Sequence, residues 1–553
     1  MGGRPRAGGT VVEEAGRHNG LADRPALLHH AEMDPERTDR GREKVSTIAR
    51  RSCTMVCRAG PGAGRRRRLL LAFCVGIATS GAVADSGSWA ESMTAARDID
   101  AAMRWHGAGT PSWPRMMAEI GDRFPVEADW LLQDGGPEST HWFADRSDTS
   151  HELRLATRAG ADVSSLLFTA ASGDPRWLEL YAAAAASRRA ARLKAVREVA
   201  PRVVFTKRRT VRPSFFAYTE GQSDAQSESH FLPGAELCLM EWDGTRPRVR
   251  TLLADPTGVL RDPAVTWDGT RVLFAWKKSH REDDYHIYEM TLASGAIRQI
   301  TSGLGFADYE PACLPNGDLV FSSTRCVQTV DCWWTEVSNL YTCDPDGRYL
   351  RRLGFDQVHT VYPTLLDDGR VVYTRWDYND RGQVFPQGLF QMNPDGTGQT
   401  EFYGNNSWFP TTIAHARGIP GTGRVLAIFC GHHSTQAGKL GVVDPSLGRQ
   451  ENAGAQRAGP LRETRAERID AYGQTGALFQ YPFPLTDREC LVAFAPLGWN
   501  SASRRKGDAD FGIYWFDFVD GRRELLVAGA TLPCQQPVPV VARTPPRPFP
   551  STV

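Results

Sequence analysis

Hydrophobic and polar positions follow two different patterns along the chain, and the change falls near Pro201. Before it, segment 174–201 has an Ala-, Leu- and Arg-rich body that predicts a long helix. Asp174 and Pro175 suit the N-cap and the first helical position, and Pro201 suits its end. After Pro201, short apolar segments alternate with Asp-Gly and Asn-Gly turns, which predicts a series of β-hairpins.

The hairpins belong to a repeat of about 50 residues. Each copy has a proline, an apolar stretch, a turn and an alternating strand, and a second strand pair such as "SNLYTCDPDGRYLRRL" follows in several copies. The motif prolines are predicted to be Pro263, Pro311, Pro363 and Pro410, with Pro484 in a looser copy after an insertion. Four strands per repeat are typical of a β-propeller blade.

The predicted fold class is therefore all-β: a six-bladed β-propeller with a helical N-terminal segment, with seven blades as the alternative. A β-sandwich fits less well because the repeat is too long and too regular. The predicted divisions are a disordered gene-model extension at 1–54, a signal peptide at 55–84, a mainly helical region at 85–200, the propeller at 201–543 and a Pro-rich tail at 544–553.

Segment 55–84 has the organisation of a secretory signal. A basic run (65–68), an apolar run (69–78) and a small-residue cleavage site (82–84) precede Asp85. The apolar run is shorter than the ~20 residues of a membrane span, so we expect no stable membrane anchor, although a short anchor is the alternative. We therefore expect translation to start at residue 55 and the protein to be periplasmic or secreted.

Composition narrows the function classes. The net charge of +1 gives no electrostatic basis for nucleic-acid binding. The chain has no Gly-x-Ser-x-Gly motif, P-loop or dinucleotide fingerprint, and "HELR" at 151–154 lacks the second histidine of a zinc protease. These absences disfavour an enzyme that acts alone; a metal-dependent enzyme, resting only on the histidines named below, stays an alternative.

Unusual residues concentrate on one predicted face of the propeller. In a meander, two kinds of connection emerge on the same side of the propeller: the one between the second and third strands, and the one that leads to the next sheet. We call this side the loop face. Its predicted segments are 277–286, 324–339, 375–388, 431–439 and 496–512, with 306–310, 356–362 and 405–409 leading into the next sheets. The residues predicted to form a partner-binding face are Trp333, Trp334, Arg375, Asp377, Asp380, Asp308 and Glu310. The opposite face has only short turns, and this asymmetry is the main functional signal.

Cysteine and histidine clusters on the loop face suggest two further features. Cys326 and Cys332 are predicted to form a disulfide, because export leads to an oxidising compartment and their spacing does not fit structural zinc. A soft-metal or haem-edge role for this pair is the alternative. The candidate metal ligands are His359, His415, His432 and His433, with hydrogen-bonded or solvated histidines as the alternative.

Several long motifs add a resemblance. The Asp-Gly repeat resembles that of TolB-type, WD40-like propellers. The segments "STRCVQTVDCWWTEVSNLYTCDPDGRYLRRLGFDQVHT" and "YGNNSWFPTTIAHARGIPGT" resemble the propeller-bearing N-terminal part of the hydrazine synthase alpha subunit family, over about residues 175–543. That family carries covalent c-type haem in domains after the propeller. This chain has no Cys-x-x-Cys-His motif, so we expect no covalent haem on it.

Two functions follow from these patterns. The first is an exported propeller that acts as an accessory module and binds a protein partner, such as a periplasmic redox protein, through the loop face. The alternative is a subunit of a haem or metal redox complex resembling hydrazine synthase, with the haem domain on another chain. No cofactor is assigned, and a metal ion at the histidines remains open.

Overall fold

The computed structural model describes eleven segments, all within one compact unit, Asp85–Val553. They are 89–105, 112–136, 150–209, 232–278, 284–330, 336–378, 386–431, 436–458, 472–499, 509–529 and 532–547. The predicted extension (1–54), the predicted signal peptide (55–84) and residues 548–553 of the predicted tail lie outside the described residues.

The described part of the N-terminal region is helical. The helices are α1 (Trp89–Trp105), α2 (Ser112–Arg123), α3 (Pro125–Gly135), α4 (Ser150–Ala159) and α5 (Pro175–Val199). Helix α5 begins as its sequence predicts, because the Asp174 side chain accepts a hydrogen bond from the backbone N–H of Arg176 and Pro175 occupies the first turn. Of the described helices, none has the length and apolar character that a membrane crossing requires.

After residue 201 the described chain consists of short β-strands. The first half comprises β1 (Arg202–Arg208), β2 (Ala235–Asp243), β3 (Arg246–Asp255), β4 (Val259–Val265), β5 (Arg271–Lys277), β6 (His286–Thr291), β7 (Ile297–Gln299), β8 (Asp308–Cys313), β9 (Leu319–Ser323), β10 (Asn339–Cys343), β11 (Arg351–Arg352) and β12 (Thr360–Leu365). The second half comprises β13 (Val371–Trp376), β14 (Gln387–Met392), β15 (Thr400–Tyr403), β16 (Thr412–Gly418), β17 (Val425–Cys430), β18 (Lys439–Val443), β19 (Ala455–Arg457), β20 (Leu478–Pro484), β21 (Glu489–Ala495), β22 (Gly512–Asp517), β23 (Arg523–Val527) and β24 (Cys534–Pro539).

These strands form four four-stranded sheets and one eight-stranded sheet. The four-stranded sheets have the orders β24-β1-β2-β3, β4-β5-β6-β7, β8-β9-β10-β11 and β20-β21-β22-β23. The eight-stranded sheet contains two antiparallel meanders, β12–β15 and β16–β19, joined by the single parallel pair Gln387–Thr412. The last strand, β24, pairs with β1, so the C-terminal end of the chain completes the first sheet.

One end strand of each meander faces the centre of the molecule. Strands β24, β4, β8, β12, β16 and β20 contact one another in a closed cycle. Each sheet packs between its neighbours, and the second strands β9 and β17 are consequently buried along their whole length. The architecture is an all-β propeller with few helices.

A tight turn shows how sequence fixes the contact between sheets. In the "PDGR" turn, the Asp344 side chain accepts hydrogen bonds from the backbone N–H groups of Asp346 and Arg348. Gly347 has φ 78°, and a Cβ there would lie 2.0 Å from the backbone oxygen of Ile300. This position therefore requires glycine, because both the backbone conformation and the neighbouring sheet exclude a side chain.

The helices dock on the outer strand of one sheet through a buried carboxylate. Glu524 on β23 is fully buried and accepts hydrogen bonds from Arg192 (2.9 Å), Arg189 (3.2 Å) and Trp130 Nε1 (3.2 Å). The adjacent Arg523 donates to Asp129 of helix α3 at 2.9 Å. The helices and this sheet are thus held by charge-assisted hydrogen bonds as well as by apolar contact.

Candidate functional site

Six residues with a left-handed backbone lie on the six inner strands, one on each. They are Asp262 (φ 56°), Glu310 (56°), Tyr362 (58°), His415 (54°), Tyr481 (47°) and Gln536 (57°), and we call them the axial ring. Each lies where the pairing of its inner strand with the second strand shifts register. Such a backbone is unfavourable for residues other than glycine, at about 1 kcal/mol or more each, so the surrounding contacts must hold it.

The positions of the ring residues show which prolines are equivalent in the predicted repeat. Pro263, Pro311 and Pro363 each follow a ring residue, as do Pro482 and Pro537. His415 is followed by Ala416, so Pro410 is not the equivalent proline, and Pro484 lies at the end of β20 rather than in the ring. The prediction was wrong at these two positions: β16 has no proline after its ring residue, and on β20 the equivalent proline is Pro482 rather than Pro484.

Hydrogen bonds connect neighbouring members of the axial ring. The Gln536 side-chain oxygen accepts the backbone N–H of Asp262 at 2.8 Å, and Asp262 accepts that of Glu310 at 3.0 Å. Glu310 accepts the backbone N–H of Tyr362 at 2.7 Å, and His415 Nδ1 accepts that of Tyr481 at 3.4 Å. The left-handed backbone thus coincides with side chains that join one sheet to the next.

One arginine balances the two carboxylates of the ring. Arg261 is fully buried and donates to both Asp262 and Glu310, and its guanidinium lies 4.8 Å from the ring centre of Tyr309. Burial raises the pKa of Glu310 to about 8, against the opposing attraction of Arg261. The Glu310 carboxyl group can therefore gain or lose a proton near neutral pH, while Arg261 stays charged.

His415 contributes a neutral imidazole to the ring. It stacks on Tyr481 with 3.8 Å between ring centres and meets the edge of Tyr362 at 4.6 Å. Burial lowers the pKa of His415 well below its ordinary value, and the positive charges of Arg208, Arg261 and Arg417 act in the same direction. Within the described part of the chain, its Nε2 has no hydrogen-bond partner.

The ring surrounds a small cavity on the propeller axis. The cavity has a volume of about 60 Å³, and besides the ring it is lined by Pro311, Pro363, Thr364, Arg417 and Val538. This volume holds a few water molecules and is far below the ~300–1,000 Å³ of sites for drug-sized ligands. The cavity therefore suits water or one small group, not a sugar or a nucleotide.

Asp308 and Glu310, predicted on the partner-binding face, lie inside the protein. Asp308 is fully buried and accepts hydrogen bonds from Ser323 Oγ (2.7 Å) and Arg325 Nη2 (2.6 Å), with His286 Nδ1 3.5 Å away. Burial alone would raise the pKa of Asp308, but hydrogen bonds from His286 and Arg325 hold it below its ordinary value. Neither carboxylate offers a surface to a partner, because each is itself buried and pairs with an arginine.

The predicted charged residues of the next loop-face segment form a network. Arg375 Nε lies 3.1 Å from Asp356 and 3.3 Å from Asp377, and its guanidinium lies 4.6 Å from the ring centre of Phe390. Asp380, the third predicted member, lies outside the described residues, as do Trp333 and Trp334. The described members form a partly buried ion-pair network at the edge of the loop face.

The histidines predicted as metal ligands do not converge in the described residues. His359 is fully buried, stacks on Trp376 with 5.2 Å between ring centres, and accepts the backbone N–H of Ser338 at 3.1 Å. Burial lowers the pKa of His359 to about 3. The described segments contain no group of three His, Cys, Asp or Glu side chains that could hold a metal, and His432 and His433 lie outside those segments.

The predicted Cys326–Cys332 bridge is not shown. Cys326 has no disulfide partner among the described residues, and its Sγ donates to the backbone oxygen of Val337 at 3.0 Å; Cys332 lies outside the described residues. No disulfide occurs among the cysteines that the structure describes. The bridge therefore stays a prediction.

Sequence reasoning missed the apolar side chains that the loop face exposes. Leu304, Phe355 and Trp408 lie in three successive connections to the next inner strand, with exposed fractions of 87%, 77% and 45%. Val327, between β9 and β10, is 82% exposed on the same face. Trp408 lies in the segment 405–409 that the sequence assigns to this face. An aromatic residue in such a connection is therefore the sequence signal that could have indicated an exposed apolar side chain.

No model of a protein family matches the chain, and no curated protein matches it. Among solved structures, the chain is similar to hydrazine synthase from Kuenenia stuttgartiensis, with 18% identity, a TM-score of 0.49 and coverage of 63% of this chain and 48% of that one. It is also similar to TolB from Acinetobacter baumannii, with 16% identity, a TM-score of 0.38 and coverage of 61% and 66%. The chain thus spans about half the length of the hydrazine synthase chain. Its own strand order makes it an all-β propeller.

Proposed function

We propose that this chain is an exported, six-bladed, TolB-like propeller that binds a protein partner through its loop face. The observation that carries the proposal is the set of exposed apolar side chains on successive loop-face connections, Leu304, Val327, Phe355 and Trp408. Single exposed apolar residues are ordinary on protein surfaces, but several in one sector of one face are typical of an interaction site. Aromatic residues in particular dominate the binding energy of protein interfaces.

The backbone under Phe355 is held in place by its neighbours. Arg352 has its guanidinium 4.7 Å from the Phe355 ring centre and donates to Gly354 O at 2.6 Å. The same guanidinium donates to Asn339 (2.6 Å) and Gln328 (2.8 Å) of the neighbouring loop-face segment. Phe355 is therefore exposed on a fixed support, which reduces the entropy lost when a partner binds.

Trp408 has a similar support. The two carboxylate oxygens of Glu451 accept the backbone N–H groups of Trp408 at 2.7 Å and of Phe409 at 3.2 Å. Glu451 in turn has its own N–H bonded to Ser407 Oγ at 2.7 Å. A large aromatic ring that is exposed while its backbone is clamped is suited to act as an anchor in a partner's pocket.

The six-blade count treats the eight-stranded sheet as two blades. The reason is that one residue pair, Gln387–Thr412, joins its two halves, whereas each half has its own inner strand and its own member of the axial ring. An experimental structure tests the count: six inner strands around the axis are expected, and a seventh would contradict it.

An affinity capture from periplasmic extract tests the function. The full chain carrying Phe355→Ser and Trp408→Ser is compared with wild type and with a control carrying Tyr349→Ser and Val519→Ser, two exposed apolar residues on turns of the opposite face. We expect a stoichiometric partner that the loop-face variant loses and the control retains. Equal retention or equal loss in both variants would contradict the proposal.

The same capture distinguishes the alternative of a redox complex. A captured partner that carries c-type haem would favour a subunit resembling hydrazine synthase, with the haem on another chain. Metal analysis of the purified chain tests the candidate metal ligands. To hold a metal ion, His432 and His433 would have to act together with other groups. A partner without haem or metal favours the accessory role.

A further inference from the structure

Arg417 is the only charged residue at its level of the propeller axis. Two positions beyond the axial ring, the equivalent residues on the other inner strands are Ala264, Ala312, Thr364, Phe483 and Val538. Arg417 lines the axial cavity on the side opposite the loop face. We call this opposite side the turn face, because short hairpin turns form it. At this level Arg417 is partly buried beside mainly apolar side chains, and the adjacent axial ring contributes the carboxyl groups of Asp262 and Glu310 to the same cavity.

A second arginine approaches the same aromatic ring. The guanidinium carbons of Arg417 and Arg543 lie 5.2 and 5.4 Å from the ring centre of Phe483, and that of Arg543 lies 5.6 Å from the ring centre of Trp267. The backbone N–H of Arg543 donates to Trp267 O at 2.7 Å, which fixes the segment after β24 at this mouth of the cavity. Two cations therefore share one apolar platform.

Neither guanidinium is paired with a carboxylate among the described residues. The nearby Arg271, in contrast, is bound to Glu289 at 3.1 Å. Burial, together with the charge of Arg543, lowers the pKa of Arg417 to about 10, with Asp262 acting weakly in the opposite direction. Arg417 is only partly buried and Arg543 is exposed, so an anion can reach both residues from solvent.

His415 adds a donor to the same cavity. Its Nδ1 accepts the backbone N–H of Tyr481, so in the neutral ring the proton must be on Nε2. This N–H is buried and has no partner within the described residues. An unpaired buried donor is unfavourable by about 1–3 kcal/mol, so the cavity favours an occupant that accepts a hydrogen bond.

We propose that the turn-face end of the axial cavity binds a small oxyanion, a carboxylate or phosphate group, between Arg417 and Arg543, with His415 as a further donor. Guanidinium groups match the geometry of both oxyanions through paired N–H donors. The volume of about 60 Å³ limits the occupant to a free ion or to one terminal group of a larger molecule. This site is on the face opposite the proposed partner surface and does not depend on it.

Titration calorimetry with acetate, phosphate and chloride at constant ionic strength tests the proposal on the purified full chain. We expect acetate or phosphate to bind and chloride not to, with acetate alone indicating a carboxylate site and phosphate alone a phosphate site. Arg417→Gln should weaken binding about tenfold to a hundredfold, the effect of losing a charge-assisted hydrogen bond. Arg271→Gln, which removes an arginine already paired with Glu289, should leave it within about twofold.

Thermal denaturation supplies a second measurement, whose expected result differs from the one expected if Arg417 had a purely structural role. Without anion, Arg417→Gln should raise the Tm, because it removes an unpaired cation beside Arg543. The anion should then raise the Tm of wild type and not that of the variant. Binding unchanged in Arg417→Gln, chloride binding equal to that of the oxyanions, or no binding of any anion would overturn the proposal.

Discussion

The carboxylate of Glu310 accepts the backbone N–H of Tyr362 at 2.7 Å, and the two residues belong to neighbouring inner strands of different sheets. The same arrangement joins Asp262 to Glu310 and Gln536 to Asp262. Closure of the propeller therefore depends on side chains that bond the backbone of the next sheet, in addition to the pairing of β24 with β1.

Glu310→Gln tests the charge state of the axial ring. Burial raises the pKa of Glu310 to about 8 in the folded protein, above the ordinary value of 4.5 that applies when the chain is unfolded. The folded state thus holds the proton more tightly, so this contribution to stability is complete below pH 4.5 and is lost as pH rises towards 8.

We expect wild type to lose up to ~1.4 kcal/mol of unfolding free energy per pH unit from this group across the window, and the variant to lack that slope. Urea denaturation at pH 5, 6, 7 and 8 measures it. Parallel pH profiles for the two proteins would show that Glu310 does not titrate in this way.

Gln536→Ala tests the closure of the ring. The change leaves the buried backbone N–H of Asp262 without its acceptor and should lower the free energy of unfolding by about 1–3 kcal/mol. Gln399→Ala is the control, because that side chain is exposed although it also joins two meanders, bonding Leu353 O of the neighbouring one and Gly396 O of its own turn, and an effect within ~0.5 kcal/mol is expected there. Similar losses in both variants would argue against a special role for Gln536.

Glu524→Ala tests the docking of the helices. It leaves Arg189 and Arg192 facing a buried site without a counter-charge, which typically lowers stability by about 3–5 kcal/mol. Glu241→Ala removes a surface ion pair with Arg250 and should change stability by no more than ~1 kcal/mol. Chemical denaturation compares the two, and a small effect of Glu524→Ala would mean that apolar packing alone holds the helices.

Export predicts the N-terminus of the mature protein. Cleavage after the small-residue site at 82–84 should give a chain that begins at Asp85. Mass spectrometry of the protein from the periplasmic fraction measures this directly. Peptides from residues 1–50 in cells would contradict the predicted start at residue 55.

The sequence predicts the repeat well where its local signals are strong. Asp-Gly turns, alternating strands and the prolines after Asp262, Glu310 and Tyr362 are local features, and they place the first three complete meanders correctly. The signal fails at His415, because Ala416 replaces the proline while the backbone conformation is retained. Tertiary contacts hold that conformation, and they are not visible in the local pattern.

The candidate site is less predictable because its contacts join distant segments. Gln536 meets Asp262 across 274 residues of sequence, and Arg417 and Arg543 approach the same Phe483 ring only because the segment after β24 returns to this part of the fold. Asp308 and Glu310 were assigned to a surface because acidic residues are usually exposed. The arginines that make their burial possible, Arg325 and Arg261, come from elsewhere in the chain.

Site-specific photo-cross-linking in cells tests the central claim most directly. A photoreactive residue is placed singly at Leu304, Phe355 or Trp408 on the loop face, and at Tyr349 or Val519 on the turn face. We expect one discrete higher-mass product, with the same partner, from the loop-face positions and none from the turn-face positions. The absence of a product from all three loop-face positions, or the same product from both faces, would contradict partner binding through the loop face.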